Sequence, residues 1–328
     1  MRTLCLLSLV VLVLAGCGER IDPPATTTIT LFDNVTVHFT PDDSTRYDSP
    51  FASARDNGRI MSTYREFPAH TGPKTITARI LVEPIRKDIR NVVDRWDRAG
   101  SVRLIRPGMA PVEMIRFMTA YGGVIEHEVD VSDLAPLLHG HCEFEVFIDT
   151  WVTPAWTVSL DLIMTPRNIS LAPTSVTGLW LPKDGLVTDA PEVSENITIP
   201  ADTKRIVMSS LVSGHCTDGR DADEFITKDN VILVDGIEVH RWRPWRDDCG
   251  EFRAVNPYCA RWADGSWSSD YSRSNWCPGD VVDPHEVDLS KWLTAGDHVV
   301  TYRIENIRPE DESGHGYWRL ASRLMIWE

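Results

Sequence analysis

The chain has 328 residues, 42% of them hydrophobic, and carries 48 Asp and Glu against 33 Lys and Arg, a formal net charge of −15. A surface of that sign repels phosphate backbones, which argues against nucleic acid as a partner. The length suffices for two ordinary domains, and beyond the N-terminal leader no segment is apolar enough to span a bilayer.

Arg2 supplies a short positive end, Leu4 to Leu14 is almost wholly apolar, and Leu14-Ala15-Gly16-Cys17 follows. That order is an export signal with small residues before its cleavage point. Its apolar run is shorter than the roughly 20 residues a spanning helix needs. A Cys directly after Leu-Ala-Gly resembles the bacterial lipobox, in which the thiol takes a diacylglycerol and becomes the new N-terminus. Residues 1–16 are therefore expected to be a lipoprotein signal peptide and Cys17 the lipidated residue. Residues 17–28, rich in Pro and Thr, read as a tether. Gly18 after the cysteine points to the outer membrane, so the expectation is an exported chain held to the cell envelope by lipid alone.

Short runs rich in β-branched and aromatic residues, separated by Gly, Pro, Asp and Asn, predict strands. They are Ile29–Phe32, Val35–Phe39, Arg59–Glu66, Thr75–Val82, Val102–Arg106, Val112–Thr119, Val124–Val131, Cys142–Val152 and Ala155–Met164. Ser132–Leu138 reads as a helical turn capped by Ser132 and Asp133. Residues 166–200, rich in Pro, Ser, Thr and Asn, read as a crossover linker. Strands resume at Arg205–Val212, Asn230–Val234, Glu238–Arg241, Val299–Glu305 and Trp318–Ile326. Many short strands with no long amphipathic helix predict an all-β chain of two antiparallel sandwiches, over 29–165 and 201–328.

Cys142, Cys216, Cys249, Cys259 and Cys277 follow the lipobox. In an exported protein they are expected to be largely oxidised, and the odd number leaves one over. No C-x-x-C pair is present, which argues against a zinc cluster. The stretch Arg241–Cys277 holds Trp242, Trp245, Trp262, Trp267, Trp276 and three of these cysteines, with no strand period. Structureless runs of that length in a compact domain are usually functional or pinned, and the cysteines offer pins.

Four local patterns stand in order along the chain. The first is Asp94-Arg95-Trp96-Asp97-Arg98. The second runs from Arg116 to Tyr121, through Glu128 to Asp133, to Phe147-Ile-Asp149-Thr-Trp151. The third is Ser213-Gly-His215, then Glu224-Phe225 leading into Val231–Asp235. The fourth is Asn256-Pro257, Gly265-Ser-Trp267, Arg273 and Trp276-Cys277-Pro278-Gly279. Together they span nearly all of the chain past the leader and resemble the peptide-N-glycosidase F family.

The resemblance implies two eight-stranded antiparallel jelly rolls packed side by side, with the active site at their interface. It implies an amidase that cuts the bond between N-acetylglucosamine and asparagine in N-linked glycoproteins or glycopeptides. Asp97 matches the family's primary catalytic aspartate and Glu224 its second catalytic acid, which works through a water. Asp149 is the third carboxylate the resemblance marks as catalytic; it stands where the family has a glutamate, one methylene longer. Arg98 and Arg273 match arginines near the carbohydrate site, and Cys249 with Cys277 matches a family disulfide. Trp96 and Trp151 flank the acids and offer apolar faces on which a pyranose stacks. No cofactor or metal is implied, and a monomer is expected. The sequence also departs from the family: Ala222 and Ile226 replace two cysteines flanking the second acid, Val93 replaces another, and Cys216 and Cys259 are extra. A Cys216–Cys259 bridge is one option, leaving Cys142 reduced.

Read without the family, an Asp or Glu in a β protein is usually a solvated surface or turn residue. The changed third acid and missing cysteines leave a second reading, a lipid-anchored glycan-binding homologue without catalysis. A third comes from copper monooxygenases that share the fold and hydroxylate peptide C-terminal glycine. Their sites need clustered His and Met, and only His139-Gly-His141 and Gly314-His315-Gly316 hint at this. No Gly-x-Ser-x-Gly motif supports a serine hydrolase.

Overall fold

A computed structural model describes residues 25–68, 72–169, 171–216 and 223–328. The expected signal peptide, Cys17, most of the tether and Ala222 lie outside the described residues. Among the described residues no helix is long and apolar enough to cross a membrane.

The first sandwich opposes two sheets. One has the order Thr27–Val37, Trp156–Pro166, Lys74–Pro84, Ile125–Asp130. The other has the order Val281–Val282, Val112–Met118, Ala99–Ile105, Gly140–Ile148, Ile60–Phe67, Ser53–Arg55. Alternation explains the inner faces: in Lys74–Pro84, Ile76, Ala78, Ile80 and Val82 are all buried while the residues between them are not. Val112–Met118 is buried along its whole length. Its inner face meets the sandwich core, and its outer face meets the second sandwich.

The second sandwich opposes Ser175–Trp180, Gly316–Trp327, Arg205–Cys216, His285–Asp288 to Glu192–Ile199, Gly296–Ile304, Asn230–Val234, Ile237–Trp242. Trp318 and Tyr302 are among the largest side chains in its core. Ala99, Met118 and Val282 of the first sandwich's sheet, Leu211 and Ala321 of the second, and Trp276 of the disulfide-closed loop form a third apolar cluster. That cluster, with Arg116 donating from the first sandwich to the Arg319 carbonyl at 2.7 Å, joins the two halves side by side. The all-β, two-jelly-roll architecture is as expected.

Several local expectations change. The first sandwich exceeds eight strands, because Ser53–Arg55 extends one edge and Val281–Val282 is added from the second half of the chain. Ile29–Phe32 and Val35–Phe39 are one bulged strand, Thr27–Val37; Asn34 at φ 50° sits in the bulge and looks like a turn residue in sequence. Residues 166–200 are not a plain crossover, since Ser175–Trp180 and Glu192–Ile199 pair with Gly316–Trp327 and Gly296–Ile304. Both are edge strands; Glu192–Ile199 buries only Ile199, so its composition is polar. Ser132–Leu137 is a 3₁₀ turn. The tryptophan-rich stretch past Trp242 holds only two 3₁₀ turns, Cys249–Val255 and Ser268–Asp270, and Cys249 is bonded to Cys277.

Candidate active site

Between the sandwiches lies a cleft of about 1490 Å³. Asp97, Glu224, Asp149, Trp96, Arg98, Trp151 and Arg273, which come from distant parts of the chain, all line it.

Asp97 ends an irregular turn just before the strand Ala99–Ile105. Buried Asp94 shapes that turn: it accepts from the Trp96 N–H at 3.2 Å, the Thr150 hydroxyl at 2.7 Å, and Arg98 at 3.0 and 3.3 Å. Arg98 is thus folded back onto Asp94 while still facing the cleft. The backbone is fixed from the other side by Thr119, whose hydroxyl donates to the Trp96 carbonyl at 2.9 Å and accepts from the Arg98 N–H at 2.7 Å.

Glu224 sits in a turn carried on the paired strands Arg205–Cys216 and Gly316–Trp327. Its neighbour Asp223 is fully buried and accepts from Trp318 Nε1 at 3.1 Å and the Arg308 N–H at 2.9 Å. Gly316 makes room for it: a Cβ there would stand 1.5 Å from Asp223 Oδ2. The Ser274 N–H donates to the Glu224 carbonyl at 2.8 Å, tying the turn to the disulfide-closed loop.

Arg273 brings the two acids together. One edge of its guanidinium faces both: Nε donates to Glu224 Oε1 at 3.2 Å, and Nη2 lies 3.7 Å from Asp97 Oδ2. Nη1 donates to the Tyr271 carbonyl and Nη2 also to the Ser268 carbonyl, each at 2.8 Å, and the group lies against the rings of Trp276 and Phe225. The side chain is only 1% exposed, so its geometry is preset. The Tyr121 phenol stands beside Asp97 and favours its charged form, and the Cys216 thiol donates to Glu224 Oε2 at 3.6 Å.

Burial raises the Asp97 carboxyl above the ordinary aspartate range, against the opposing pull of Arg273, Tyr121 and Arg98. Burial also pushes Glu224 up to about 7; Arg273 opposes the rise and the negative charge of Asp97 adds to it. The pair therefore holds one proton readily near neutrality, and Asp97 has the more cationic and donor-rich surroundings. Burial, then Asp97, push the Tyr121 phenol upward, so it stays a donor. His215, stacked between Trp276 and Tyr317, is driven well below its ordinary value by burial and stays neutral.

Asp149 follows Gly140–Ile148 and is clasped by two arginines, Arg59 on Oδ1 at 3.3 Å and Arg319 on Oδ2 at 2.6 Å. Arg59 also lies 4.8 Å from the Trp151 ring centre. Trp96 and Trp151 are 52% and 56% exposed at the cleft, which favours contact with a ligand over core packing. Trp262 of the tryptophan-rich loop joins the lining, half-exposed.

Asp94 and Tyr121 stand in the sequence motifs without a role assigned to them, and Asp223, Arg59 and Arg319 carry no sequence assignment to the site. Asp94, two residues before Trp96, has the spacing of an Asx turn and could have been suspected. The arginines carry no local signal. The Cys216–Cys259 bridge does not form: Cys216 points at Glu224, and Cys259 accepts from the Ser269 hydroxyl.

Comparison with known proteins gives a consistent set of likenesses. A family profile described as "Peptide-N-glycosidase F, N terminal" matches residues 106–164, and one described as "Peptide-N-glycosidase F, C terminal" matches residues 186–325. Peptide-N(4)-(N-acetyl-beta-D-glucosaminyl)asparagine amidase F of Elizabethkingia miricola is 23% identical over 284 residues, 78% of this chain and 76% of the relative. A structure of PNGF-II superposes with TM-score 0.83 at 23% identity over 92% of this chain; the chain spans just 66% of that protein. The structure of PNGase F, a glycosylasparaginase from Flavobacterium meningosepticum, superposes with TM-score 0.73 at 20% identity, covering 93% of this chain and 96% of that one.

Proposed function

The chain belongs to the peptide-N-glycosidase F family, and from that premise we propose that it hydrolyses the amide joining N-acetylglucosamine to asparagine in N-linked glycoproteins or glycopeptides. The observation that carries this reading is the single guanidinium of Arg273 facing both Asp97 and Glu224. It supports two acids of unlike protonation working on one bond.

In the proposed reaction a water attacks the side-chain amide carbonyl and Asp97, ionised, takes its proton. The tetrahedral intermediate collapses by breaking the carbonyl–nitrogen bond, and Glu224, protonated, gives its proton to the departing glycosylamine. The asparagine becomes aspartate. Arg273 keeps both carboxyls in place and favours the charge on Asp97, and the Tyr121 phenol beside it favours that charge too. Trp96 and Trp151 stack on the sugar, and the size of the cleft suits a glycan of several residues rather than a single ring. Asp149, neutralised by two arginines, acts as a wall of the sugar subsite.

The test is to incubate the protein with a denatured glycoprotein and follow released glycan together with the mass change of Asn to Asp. Turnover is expected, and Asp97→Asn should lower kcat by about a thousandfold with an unchanged circular dichroism spectrum. Glycan binding without release would favour the non-catalytic homologue, and full turnover by Asp97→Asn would remove the role given to Asp97.

A further inference from the structure

We propose that the end of the molecule opposite the cleft rests on a lipid bilayer, with Ile169 and Leu171 entering its interfacial layer. The proposal rests on the anchoring of Cys17, not on hydrolysis.

The long strands of both sandwiches run between the same two ends. Thr27–Val37 begins beside Met164 and Thr165 and ends next to Phe39, whose ring meets Trp151 of the cleft. Arg205–Cys216 begins beside Trp327 and ends at Cys216, against Glu224. Strands of 11 and 12 residues put about 30 Å between the ends. The described chain thus starts at the end remote from the acids. Between Cys17 and Ala25 the sequence can reach at most about 29 Å when fully extended. A lipid on Cys17 would hold this remote end, not the cleft, near the membrane.

The surface there suits such a contact. Ile169 and Leu171, in the connection between the sandwiches, are 71% and 75% exposed. One exposed apolar residue needs no explanation. Here two stand together, and the Leu171 carbonyl accepts from the indole of Trp327 at 3.3 Å, which places an amphipathic ring beside them. Lys74 pairs in register with Pro166, the Arg167 N–H donates to the Pro73 carbonyl, and the Lys204 N–H donates to the Trp327 carbonyl, so three cations border the patch. Among the described residues none of the three forms an ion pair. Glu328, whose N–H donates to the Thr174 hydroxyl, and exposed Asp202 stand at the same end, so the rim is mixed in sign but still more cationic than a chain of net charge −15 as a whole, and anionic lipid meets no net repulsion there. The anchor keeps the local lipid concentration high, so a contact too weak to bind alone suffices to orient the body. The cleft then faces away from the bilayer, open to large glycoproteins.

The test uses the full chain, acylated at Cys17 as checked by intact mass, on vesicles of phosphatidylethanolamine and phosphatidylglycerol. Hydrogen exchange is compared with the acylated Ile169→Glu/Leu171→Glu protein on the same vesicles, and with Ile169→Ser/Leu171→Ser in case the charged pair perturbs the fold. Backbone amides of 166–176 should exchange at least about fivefold more slowly in the unaltered protein, while those of 37–40 and 150–153 should be equal. Equal exchange at 166–176, protection at the cleft end instead, protection arising from dimers without vesicles, or a Cys17 without acyl mass would each overturn the proposal. Because exchange does not report hydrolysis, a catalytically silent protein that shows the protection would retract the amidase reading and leave this one standing.

Discussion

Asp149 gives each of its oxygens to a guanidinium, Arg59 on one side and Arg319 on the other. A carboxylate held in this way neutralises the wall and fixes two arginines. Asp149→Asn would leave the two guanidinium groups facing each other without a shared anion. A loss of about 2 kcal/mol is expected, moderated by partial solvent access, and read as a lower thermal midpoint. Turnover should fall far less than in Asp97→Asn. The identities of Asp97, Glu224 and Arg273 were legible in sequence only through the family's motifs, because an isolated carboxylate carries no mark of its future burial. Arg59 and Arg319 were not legible at all, since their partner lies 90 and 170 residues away.

The paired strands Arg205–Cys216 and Gly316–Trp327 deliver Glu224 through a contact that allows no side chain. Cys216 registers with Gly316 across the pair, and Asp223 fills the space a Cβ on Gly316 would occupy. Gly316→Ala should displace Asp223, strip Trp318 and the Arg308 amide of their acceptor, and shift Glu224 from Arg273. A destabilisation of about 1–3 kcal/mol, measured by denaturant titration, and a drop in kcat larger than the change in KM are expected. The other strands were mostly legible from β-branched runs. Glu192–Ile199 was not, because this edge strand buries only Ile199 and has the polar composition of a linker; nor was Ser175–Trp180, which buries Val176, Leu179 and Trp180 but is interrupted in sequence by Thr177 and Gly178. The loop closed by Cys249 and Cys277 has no regular period, yet it positions Arg273 and Trp276 through the bond itself and through side-chain and carbonyl contacts.

Across the whole molecule, stability and activity should fall together through Glu224 as the pH rises. Its folded value of about 7 lies above its ordinary 4.5, so the folded protein binds this proton more tightly than the unfolded chain does. The associated stabilisation is fully present below about pH 4.5 and is lost as the pH rises through about 7. Glu224→Gln cannot ionise. Its thermal midpoint should exceed that of the unaltered protein at pH 8, and the gap should close towards pH 4; a gap constant with pH would show that Glu224 titrates normally. In the proposed mechanism the same ionisation ends activity on the alkaline side, so the descending limb of kcat should fall near pH 7. Stability and chemistry meet here because the acids lie on the seam between the sandwiches, where the third apolar cluster excludes water.

Local pattern by itself determined the all-β class, most strand positions and the irregular, tryptophan-rich loop with its cysteines, because β-branched alternation and turn residues act over a few neighbours. The resemblance carried by four short motifs added the pairing of Cys249 with Cys277 and the names of the acids. Only the tertiary structure decided that Asp97 and Glu224 meet on Arg273, that Asp149 is clasped by two arginines and that Cys216 faces an acid rather than Cys259. Those facts depend on burial and on the three-dimensional meeting of segments, most of them tens to more than a hundred residues apart, and sequence spacing holds no record of either.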